Sequence, residues 1–332
     1  MLYRRLGKTG LEVSALGFGC GAVGGLLVRG ERAEMVRTVA RAIEAGVNYF
    51  DTAPLYGNGQ SETNLGWVLA ELKADVIVGS KVRLAAEDME NIEAAIVRSV
   101  ETSLGRLRRE SIDLIQLHNL VTNQRQPARE GVTVADLERA MAVFARLQAQ
   151  GKVRFWGWNG LGDTPSLQEA LAAPAQTVQC CFNLLNPSAG RPVAEGFAFQ
   201  DYAQLIDRAA AQGMGVIAIR VLAGGALSGS TDRHPNAAAS VDPIASSSVY
   251  AADVALAQRL AFLIEGGYAD SLVEAAIRFA IGQDGISTAL VGISNADQLE
   301  QALSAAHKGP LPSTALGGLA RLWAEGGWAS PV

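Results

Sequence analysis

Short apolar runs alternate with amphipathic helical segments along the whole of this chain. The runs are hydrophobic on both faces, which is typical of strands that are buried in a parallel sheet. This alternation restricts the fold to a closed (β/α)8 barrel or an open doubly wound sheet, because both are built from βαβ units. The eight predicted strands cover residues 15–20, 47–52, 76–81, 114–118, 153–158, 177–181, 215–220 and 288–292.

Helical periodicity separates the apolar runs. Glycines that follow several of the helical segments are typical of C-terminal caps, namely Gly46, Gly105, Gly151, Gly213 and Gly282. Eight strand–helix pairs without a break in composition favour a (β/α)8 TIM barrel, which we expect to form one domain over residues 1–332. The predicted helices cover 32–45, 61–72, 88–104, 134–150, 166–173, 201–211, 272–281 and 296–306.

Two segments fall outside this repeat. Residues 226–253 form a long stretch rich in Ser, Ala, Asp and Pro after the seventh strand. Loops of this length in compact domains are usually functional or mobile, so the stretch is either a flap over a ligand or a disordered insertion. Residues 316–328 have the pattern of a short amphipathic helix that is able to cap the barrel.

Charge and cysteine content argue against several classes of function. The net charge is -5 and no run of five or six like charges occurs, so nucleic-acid or membrane-surface binding has little electrostatic support. We expect no membrane span and no secretory signal, because no suitable apolar segment is present. Cys20, Cys180 and Cys181 fit buried hydrophobic positions better than a disulfide framework, a metal site or a redox site. These features together predict a cytoplasmic protein.

Polar side chains stand at or just past the ends of the second, third and fourth predicted strands. They are Asp51, Tyr56, Lys81 and His118. In α/β barrels the chemistry is located at the C-terminal ends of the strands. Each residue alone has an ordinary structural explanation: Asp51 as a turn residue, Tyr56 as a half-buried aromatic, Lys81 as a side chain that extends to solvent, and His118 as a core histidine. Their occurrence on three successive strand ends favours a catalytic site.

These residue types together predict a proton donor. A phenol has a pKa of about 10 and is a poor acid at neutral pH. A neighbouring ammonium favours the phenolate, so Lys81, paired with Asp51, is expected to lower the pKa of Tyr56. His118 is placed to hydrogen-bond a carbonyl oxygen and orient it. The pattern predicts an acid that protonates an oxygen while another group attacks the carbon.

The chain resembles the aldo-keto reductases over nearly its full length. The matching segments are 51–57 with Ser61-Glu62, 79–81, 113–118, 151–157, Gln179 with 182–186, and 291–294 with Gln298-Leu299. The resemblance implies a (β/α)8 barrel that transfers hydride from NADP(H) or NAD(H) to an aldehyde, ketone or sugar, or runs as a sugar dehydrogenase. It also implies Tyr56 as the acid, Lys81 and Asp51 as its tuning groups, and His118 as the group that orients the substrate.

The same resemblance implies where the cofactor binds. Glycine-rich backbone at residues 222–229 can present N–H groups to the pyrophosphate, and residues 292–298 correspond to the adenosine site. Asn159 and Gln179 correspond to positions that hold the nicotinamide carboxamide. The predicted cofactor-binding residues are Gly19, Cys20, Asn159, Gln179, Arg220, Leu222, Gly224, Gly292, Ser294 and Gln298.

The sequence departs from the family pattern at the cofactor site. Asn159-Gly160 stands where Ser-Asn is common, and Arg220 replaces an aromatic residue that usually stacks on the nicotinamide. The Arg220 guanidinium could stack on the ring or grip a phosphate. Basic residues that bind an NADP 2′-phosphate are missing near the last strand. Charge from Arg233, His234 or Lys308 could replace them, so the choice between NAD and NADP stays open.

Two other hypotheses belong to different functional classes. Residues 19–24 spell G-x-G-x-x-G, the Rossmann fingerprint, but the helical pattern starts only near Arg32 instead of at the third glycine. A catalytically weak, nucleotide-binding regulatory barrel is the second hypothesis, and the intact set of four polar residues argues against it. Oligomeric state and substrate are not predicted, and the candidate residues for the substrate pocket are Phe18, Leu26, Leu27, Trp158 and loop 121–129.

Overall fold

Eight parallel strands form a closed barrel in the computed structural model, which describes residues 1–324 and Trp328. Strands β3 to β6 and β9 to β12 make up the barrel, β1 and β2 form an antiparallel hairpin, and β7 pairs with β8. The strands are β1 (Tyr3–Arg5), β2 (Glu12–Ser14), β3 (Leu16–Gly19), β4 (Tyr49–Asp51), β5 (Ile77–Val82), β6 (Ile112–Leu117), β7 (Leu120–Val121), β8 (Gly131–Val132), β9 (Val153–Gly160), β10 (Thr177–Cys181), β11 (Gly215–Ile219) and β12 (Ile286–Gly292).

The barrel closes where its first strand meets its last. Residues of β3 pair with residues of β12, with Leu16 opposite Ala289 and Gly19 opposite Gly292. All eight predicted strands are present. Strand β10 has the predicted ends and the others have shifted ends, for example β9, which continues to Gly160. The predicted (β/α)8 TIM barrel is therefore confirmed, and the doubly wound alternative was wrong.

Helices surround the barrel and follow its strands. All the predicted helices are present, although Gly105 lies inside α4 and is not a cap as predicted. The N–H of Arg108, at φ 55°, bonds back to Gly105 and Leu104 and ends that helix. The helices are α1 (Leu26–Arg29), α2 (Arg32–Glu44), α3 (Gln60–Leu72), α4 (Ile92–Leu107), α5 (Val134–Ala149), α6 (Thr164–Ala170), α7 (Leu205–Ala211), α8 (Tyr250–Gln258), α9 (Phe262–Glu265), α10 (Leu272–Ile281), α11 (Ala296–His307) and α12 (Ser313–Ala324).

The hairpin of β1 and β2 closes the N-terminal end of the barrel. Leu6 and Val13 are fully buried in one cluster with the interior residues Leu114 and Ile217. Gly7 permits the close approach, because a Cβ there would lie 2.2 Å from the backbone N of Gly215. Because the hairpin closes the N-terminal end, a ligand has access to the C-terminal end of the barrel.

The predicted long loop is shorter than expected. A 3-10 helix over Ala223–Ser228 occupies its start and α8 occupies its end, so the irregular part covers 229–249. Helix α8 buries both apolar residues and Asp253, so no polar face marks it in the sequence. We refer to residues 229–249 as the crossing loop.

The C-terminal segment is anchored by two indole groups. Helix α12 starts at Ser313, three residues before the predicted start, and residues 325–327 of the predicted helix lie outside the described residues. Trp323 Nε1 donates to the carbonyl of Leu184 at 3.1 Å, and Trp328 Nε1 donates to that of Leu185 at 2.9 Å. None of the helices in the described part of the chain has the length and apolar character needed to cross a membrane.

Candidate active site

A cavity of about 450 Å³ opens at the C-terminal end of the barrel. Asp51, Tyr56 and His118 line it, and Lys81 lies buried directly behind them. Every residue predicted to bind the cofactor, apart from Cys20, also lines this one cavity. These residues are Gly19, Asn159, Gln179, Arg220, Leu222, Gly224, Gly292, Ser294 and Gln298.

Asp51, the last residue of β4, collects three side-chain donors. Lys81 Nζ donates to its Oδ1. The Tyr49 hydroxyl, at 3.2 Å, and Gln179 Nε2, at 2.8 Å, donate to its Oδ2. All four side chains are buried. A carboxylate in the barrel interior is tolerable only with such partners, because an unpaired buried charge costs several kcal/mol.

Lys81 is placed by the alternation of side chains along β5. Gly79, two residues earlier on the strand, faces the same side. A Cβ at this position would lie 2.5 Å from the Tyr49 hydroxyl, so glycine makes room for that group. Burial alone would lower the pKa of Lys81, but Asp51 and Tyr56 outweigh it and the pKa is raised. The ammonium therefore stays charged, with Nζ 5.0 Å from the centre of the Tyr56 ring.

Tyr56 lies in the turn after β4, with its N–H bonded to the carbonyl of Ala53. Burial raises the pKa of its phenol, and Lys81 only partly offsets that effect while Asp51 adds to it. Lys81 does lower the pKa of Tyr56 as predicted, but burial, which the sequence did not show, outweighs that effect. The phenol keeps its proton at neutral pH and is able to donate it.

His118 follows β6 and faces Tyr56. The two ring centres lie 6.0 Å apart in an edge-to-face arrangement. Burial, followed by the charges of Lys81 and Arg83, holds the pKa of His118 well below its ordinary value. The imidazole is neutral at pH 7, and its buried Nδ1 has no hydrogen-bond partner within the described chain. A neutral imidazole with an unused nitrogen suits hydrogen bonding to a ligand oxygen.

Ser61 and Glu62, which belong to the matching segments, support the cluster from behind. Ser61 Oγ bonds to the carbonyl of Cys20 and to Thr52 Oγ1, both at 2.8 Å. Glu62 accepts from Ser80 Oγ at 2.6 Å and also pairs with a helix α4 arginine. These buried contacts join helix α3 to the ends of β3, β4 and β5.

Asn159 and Gln179 are neighbours across the pairing of β9 with β10. Both are buried and both line the cavity. A side chain at Gly160 has no room, because its Cβ would lie 2.7 Å from the carbonyl oxygen of Gln179. This close packing is the physical reason for the departure Asn159-Gly160, which leaves two amides on this wall.

Two arginines flank a left-handed glycine turn after β11. Gly224 and Gly225 have φ values of 70° and 109°. Arg220, itself at φ 59°, donates to the carbonyl of Asp242 at 2.6 Å, while its buried Nε has no partner in the described structure. Arg233 donates to the carbonyl of Gly224 at 2.9 Å and to the Tyr250 hydroxyl at 3.0 Å.

The two guanidinium groups, which we call the arginine pair, have only neutral acceptors. Within residues 1–324 and Trp328, no carboxylate lies at ion-pair distance from either one. Burial lowers the pKa of Arg220. The groups of Cys181, Asp253 and Tyr202 oppose that effect only in part, and the like charge of Arg233 adds a smaller lowering effect. Two cations beside one cavity without a counter-ion form a place for an anion.

The far end of the cavity is neutral on the side of β12. Gln298 Oε1 accepts from the N–H of Ser294 at 2.9 Å, so its NH2 group remains for a ligand. Lys308 pairs with Asp270 and Glu274 and does not line the cavity, so it cannot supply the charge proposed for it. Arg233 and His234 do line this end.

The crossing loop spans the cavity from β11 to the loops after β3 and β12. The Asn236 carbonyl accepts from Arg29 Nε at 2.8 Å, and its side chain donates to the carbonyl of Ser294 at 3.0 Å. The N–H of Ala238 donates to the carbonyl of Val23 at 3.2 Å. The loop thus lies where a flap was predicted, and it is attached through hydrogen bonds at both sides of the cavity.

Several residues that were predicted to bind ligands near the first strand do not line the cavity. The Cys20 side chain is buried outside the cavity, and its backbone N–H and carbonyl are taken by Asp51 and Ser61. Helix α1 does open directly after Gly25, although the first strand belongs to the barrel and not to a Rossmann unit. The apolar residues Phe18, Leu26, Leu27 and Trp158 pack in the core and do not line the cavity.

The sequence did not single out Tyr49, Val23, Leu161 or Ile244. Tyr49 could have been found from its spacing, because residues two apart on a strand point to the same side and Asp51 follows it by two. Val23, Leu161 and Ile244 give the cavity an apolar wall. They belong to three separate loops, which sequence periodicity cannot bring together.

Comparisons with known proteins agree with this architecture. The model of the Aldo/keto reductase family matches residues 15–323. L-galactose dehydrogenase of Arabidopsis thaliana is 27% identical over 307 residues, covering 91% of this chain and 87% of that protein. The glycerol dehydrogenase AKR11B4 from Gluconobacter oxydans is similar in structure with a TM-score of 0.71 at 25% identity, covering 96% of this chain and 94% of that one. The holo form of aldo-keto reductase AKR11C1 from Bacillus halodurans has a TM-score of 0.71 at 24% identity, covering 97% and 96%.

Proposed function

This chain belongs to the aldo-keto reductase family, and from that premise we propose that it transfers hydride between NAD(P)H and a small carbonyl or alcohol substrate. Sugars and polyols are the first substrates to test, because relatives are named L-galactose dehydrogenase and glycerol dehydrogenase. The observation that carries the proposal is the buried Asp51–Lys81 pair behind Tyr56 at the cavity wall. A cytoplasmic setting is part of the proposal and is supported by Cys20, Cys180 and Cys181, which are free thiols.

Each member of the acid–base cluster (Asp51, Tyr56, Lys81 and His118) has a distinct task in this proposal. Tyr56 holds a proton that it donates to the substrate oxygen. Lys81 stabilises the phenolate that remains, and Asp51 keeps Lys81 in place and charged. His118, neutral and with an unused ring nitrogen, orients the substrate oxygen. In the oxidative direction the same residues act in reverse, with Tyr56 as the base.

The cavity fits a dinucleotide cofactor. The unpartnered Arg220 Nε and the arginine pair suit a diphosphate. Gly224 has a φ of 70°, and a Cβ there would lie 2.7 Å from the Val241 side chain, so glycine is favoured at this turn. The amides of Asn159 and Gln179 suit a carboxamide. When bound, the nicotinamide supplies or accepts the hydride. Both NAD and NADP stay within the proposal, since the β12 side is neutral while Arg233 and His234 face the cavity.

We also propose that residues 1–332 form one domain. Its support is the pairing of β3 with β12, which joins distant parts of the chain in one barrel. The strands in residues 1–324 that lie outside the barrel form only two-stranded sheets, so no second large sheet accompanies it.

The experiment that tests the function is Tyr56→Phe. We expect kcat to fall by about 10²- to 10⁴-fold, because the proton donor is lost while the ring packing is kept. Oxidation of NADH and NADPH is followed with a panel of aldehydes and sugars. Tyr3→Phe is the matched control, because the Tyr3 hydroxyl binds the carbonyl of Gly46 at the other end of the barrel. Equal turnover by wild type and Tyr56→Phe would refute the assignment of Tyr56.

A further inference from the structure

Gln179 touches the counter-ion of the proton donor as well as the cavity. Its Nε2 donates to Asp51 Oδ2 at 2.8 Å, and Gln179 is only 1% exposed. Residues 179 and 51 are far apart in sequence and lie on strands β10 and β4, which are not neighbours in the barrel. The contact therefore crosses the barrel interior.

This contact fixes which end of the amide faces the ligand. A carboxylate accepts hydrogen bonds but cannot donate them, so Nε2 must point to Asp51. The Gln179 Oε1 is then left as an acceptor. A ligand N–H group, such as that of a carboxamide, is the matching donor. A flipped amide would set Oε1 against the carboxylate and lose the bond.

Asp51 joins two chains of contacts. Its Oδ1 holds Lys81, whose ammonium faces Tyr56, and its Oδ2 holds Gln179. In a buried network, each hydrogen-bond donor to a carboxylate withdraws part of the negative charge of that carboxylate. An amide N–H becomes a stronger donor when the oxygen of the same amide accepts a hydrogen bond. A ligand N–H on Gln179 Oε1 would therefore weaken the negative field of Asp51 at Tyr56.

We propose that Gln179 is a positioning residue that couples nicotinamide binding to the proton donor through Asp51 and Lys81. The inference rests on the proposed function of the cavity as an NAD(P) site. Cofactor binding then prepares the acid before the substrate arrives. The ionisable groups that interact with Tyr56 from the surrounding elements are Tyr49 and Asp51 of β4, Lys81 of β5, Cys20 after β3 and His118 after β6.

The test compares Gln179→Leu with Asn159→Leu. Both changes remove an amide from the same cavity wall, but only Gln179 bonds to Asp51. We expect both variants to weaken cofactor binding. In the reductive direction, kcat of Gln179→Leu is expected to fall at higher pH than that of wild type, by about half to one pH unit, a three- to tenfold change in the ionisation constant. The shift is to higher pH because loss of the Gln179 donor strengthens the negative field of Asp51. That field opposes ionisation of Tyr56, so the phenol keeps its proton to a higher pH.

A second measurement uses binding alone. The Kd values for NADH and NADPH are measured by fluorescence for Asp51→Asn, Gln179→Leu and the double variant, with circular dichroism to verify folding. We expect each single change to weaken binding about tenfold and the double change to add little more, because the two residues act as one unit. For Asp51→Asn with Asn159→Leu, the two effects are expected to multiply.

The outcomes separate this inference from the proposed function. Failure of the wild-type protein to bind either nucleotide would overturn both. The coupling alone would be overturned if the wild-type protein binds nucleotide and turns over normally, but two results differ from those expected. These are equal pH profiles for Gln179→Leu and Asn159→Leu, and effects of Asp51→Asn and Gln179→Leu on Kd that multiply in the double variant.

Discussion

The two ends of the cavity handle buried charge in opposite ways. At the acid–base end, rigid strands carry Asp51 and Lys81, which neutralise each other before any ligand arrives. At the other end, a left-handed turn and the crossing loop carry Arg220 and Arg233, whose partners are neutral carbonyls and a hydroxyl. Charge that is paired within the fold stays ionised in the barrel interior and is costly to unpair, whereas charge left without a counter-ion is available to bind an anion. The comparison predicts that changes at the two ends have different readouts.

Lys81→Met is expected to have the largest effect, on both stability and turnover. It leaves Asp51 buried without its cation, which costs about 3–5 kcal/mol of the free energy of unfolding. Turnover should fall as well, because the phenolate of Tyr56 loses its stabilising charge. Urea unfolding and kcat measure the two effects. Lys152→Met, which removes an ion pair with Glu101 at the surface, is the control, and an equally small loss in both variants would contradict the comparison.

Arg220→Leu is expected to weaken nucleotide binding and leave the acid–base end unchanged. A charged hydrogen bond is worth about 1.5–3 kcal/mol, so Kd should rise about 10- to 100-fold. The dependence of Kd on salt should also become shallower. Fluorescence titration at several salt concentrations measures both, and Arg208→Leu, on the exposed side of α7, is the control. An unchanged Kd in Arg220→Leu would show that this arginine binds no phosphate.

The smallest expected effect is a pH dependence of stability that is localised to His118. Its pKa is lowered in the folded state, so the unfolded chain takes up the proton first as the pH falls below about 6.5. Stability should then decrease by about 1.4 kcal/mol per pH unit until the folded-state pKa is reached. Urea unfolding between neutral and mildly acidic pH should show a shallower loss in His118→Gln. Equal slopes in both proteins would place the pH sensitivity elsewhere.

The sequence predicts the acid–base end better than the phosphate end, for a physical reason. Asp51, Lys81 and His118 lie at the ends of apolar strands, and parallel strands bring those ends together in any barrel. The roles of Arg233 and of the crossing loop depend on irregular backbone, which has no period. The contact of Gln179 with Asp51 crosses the barrel interior and depends on strand register and barrel diameter. The direction of the pKa shift at Tyr56 required the depth of its hydroxyl, which composition cannot supply.

Closure of the barrel through β3 and β12 has a consequence for how the protein is made. On the ribosome, β3 is the first of the barrel strands to emerge, and it lacks one of its two neighbours until residues 286–292 have been synthesised. The Arg4 side chain also lacks its hydrogen-bond acceptors until that part of the chain is made, because they are the carbonyls of Ile281 and Ile286. Contacts between segments so distant in sequence form late and slowly. A nascent chain of this protein therefore exposes apolar strand edges for most of its synthesis, and a chaperone that shields them would act at the N-terminal strands.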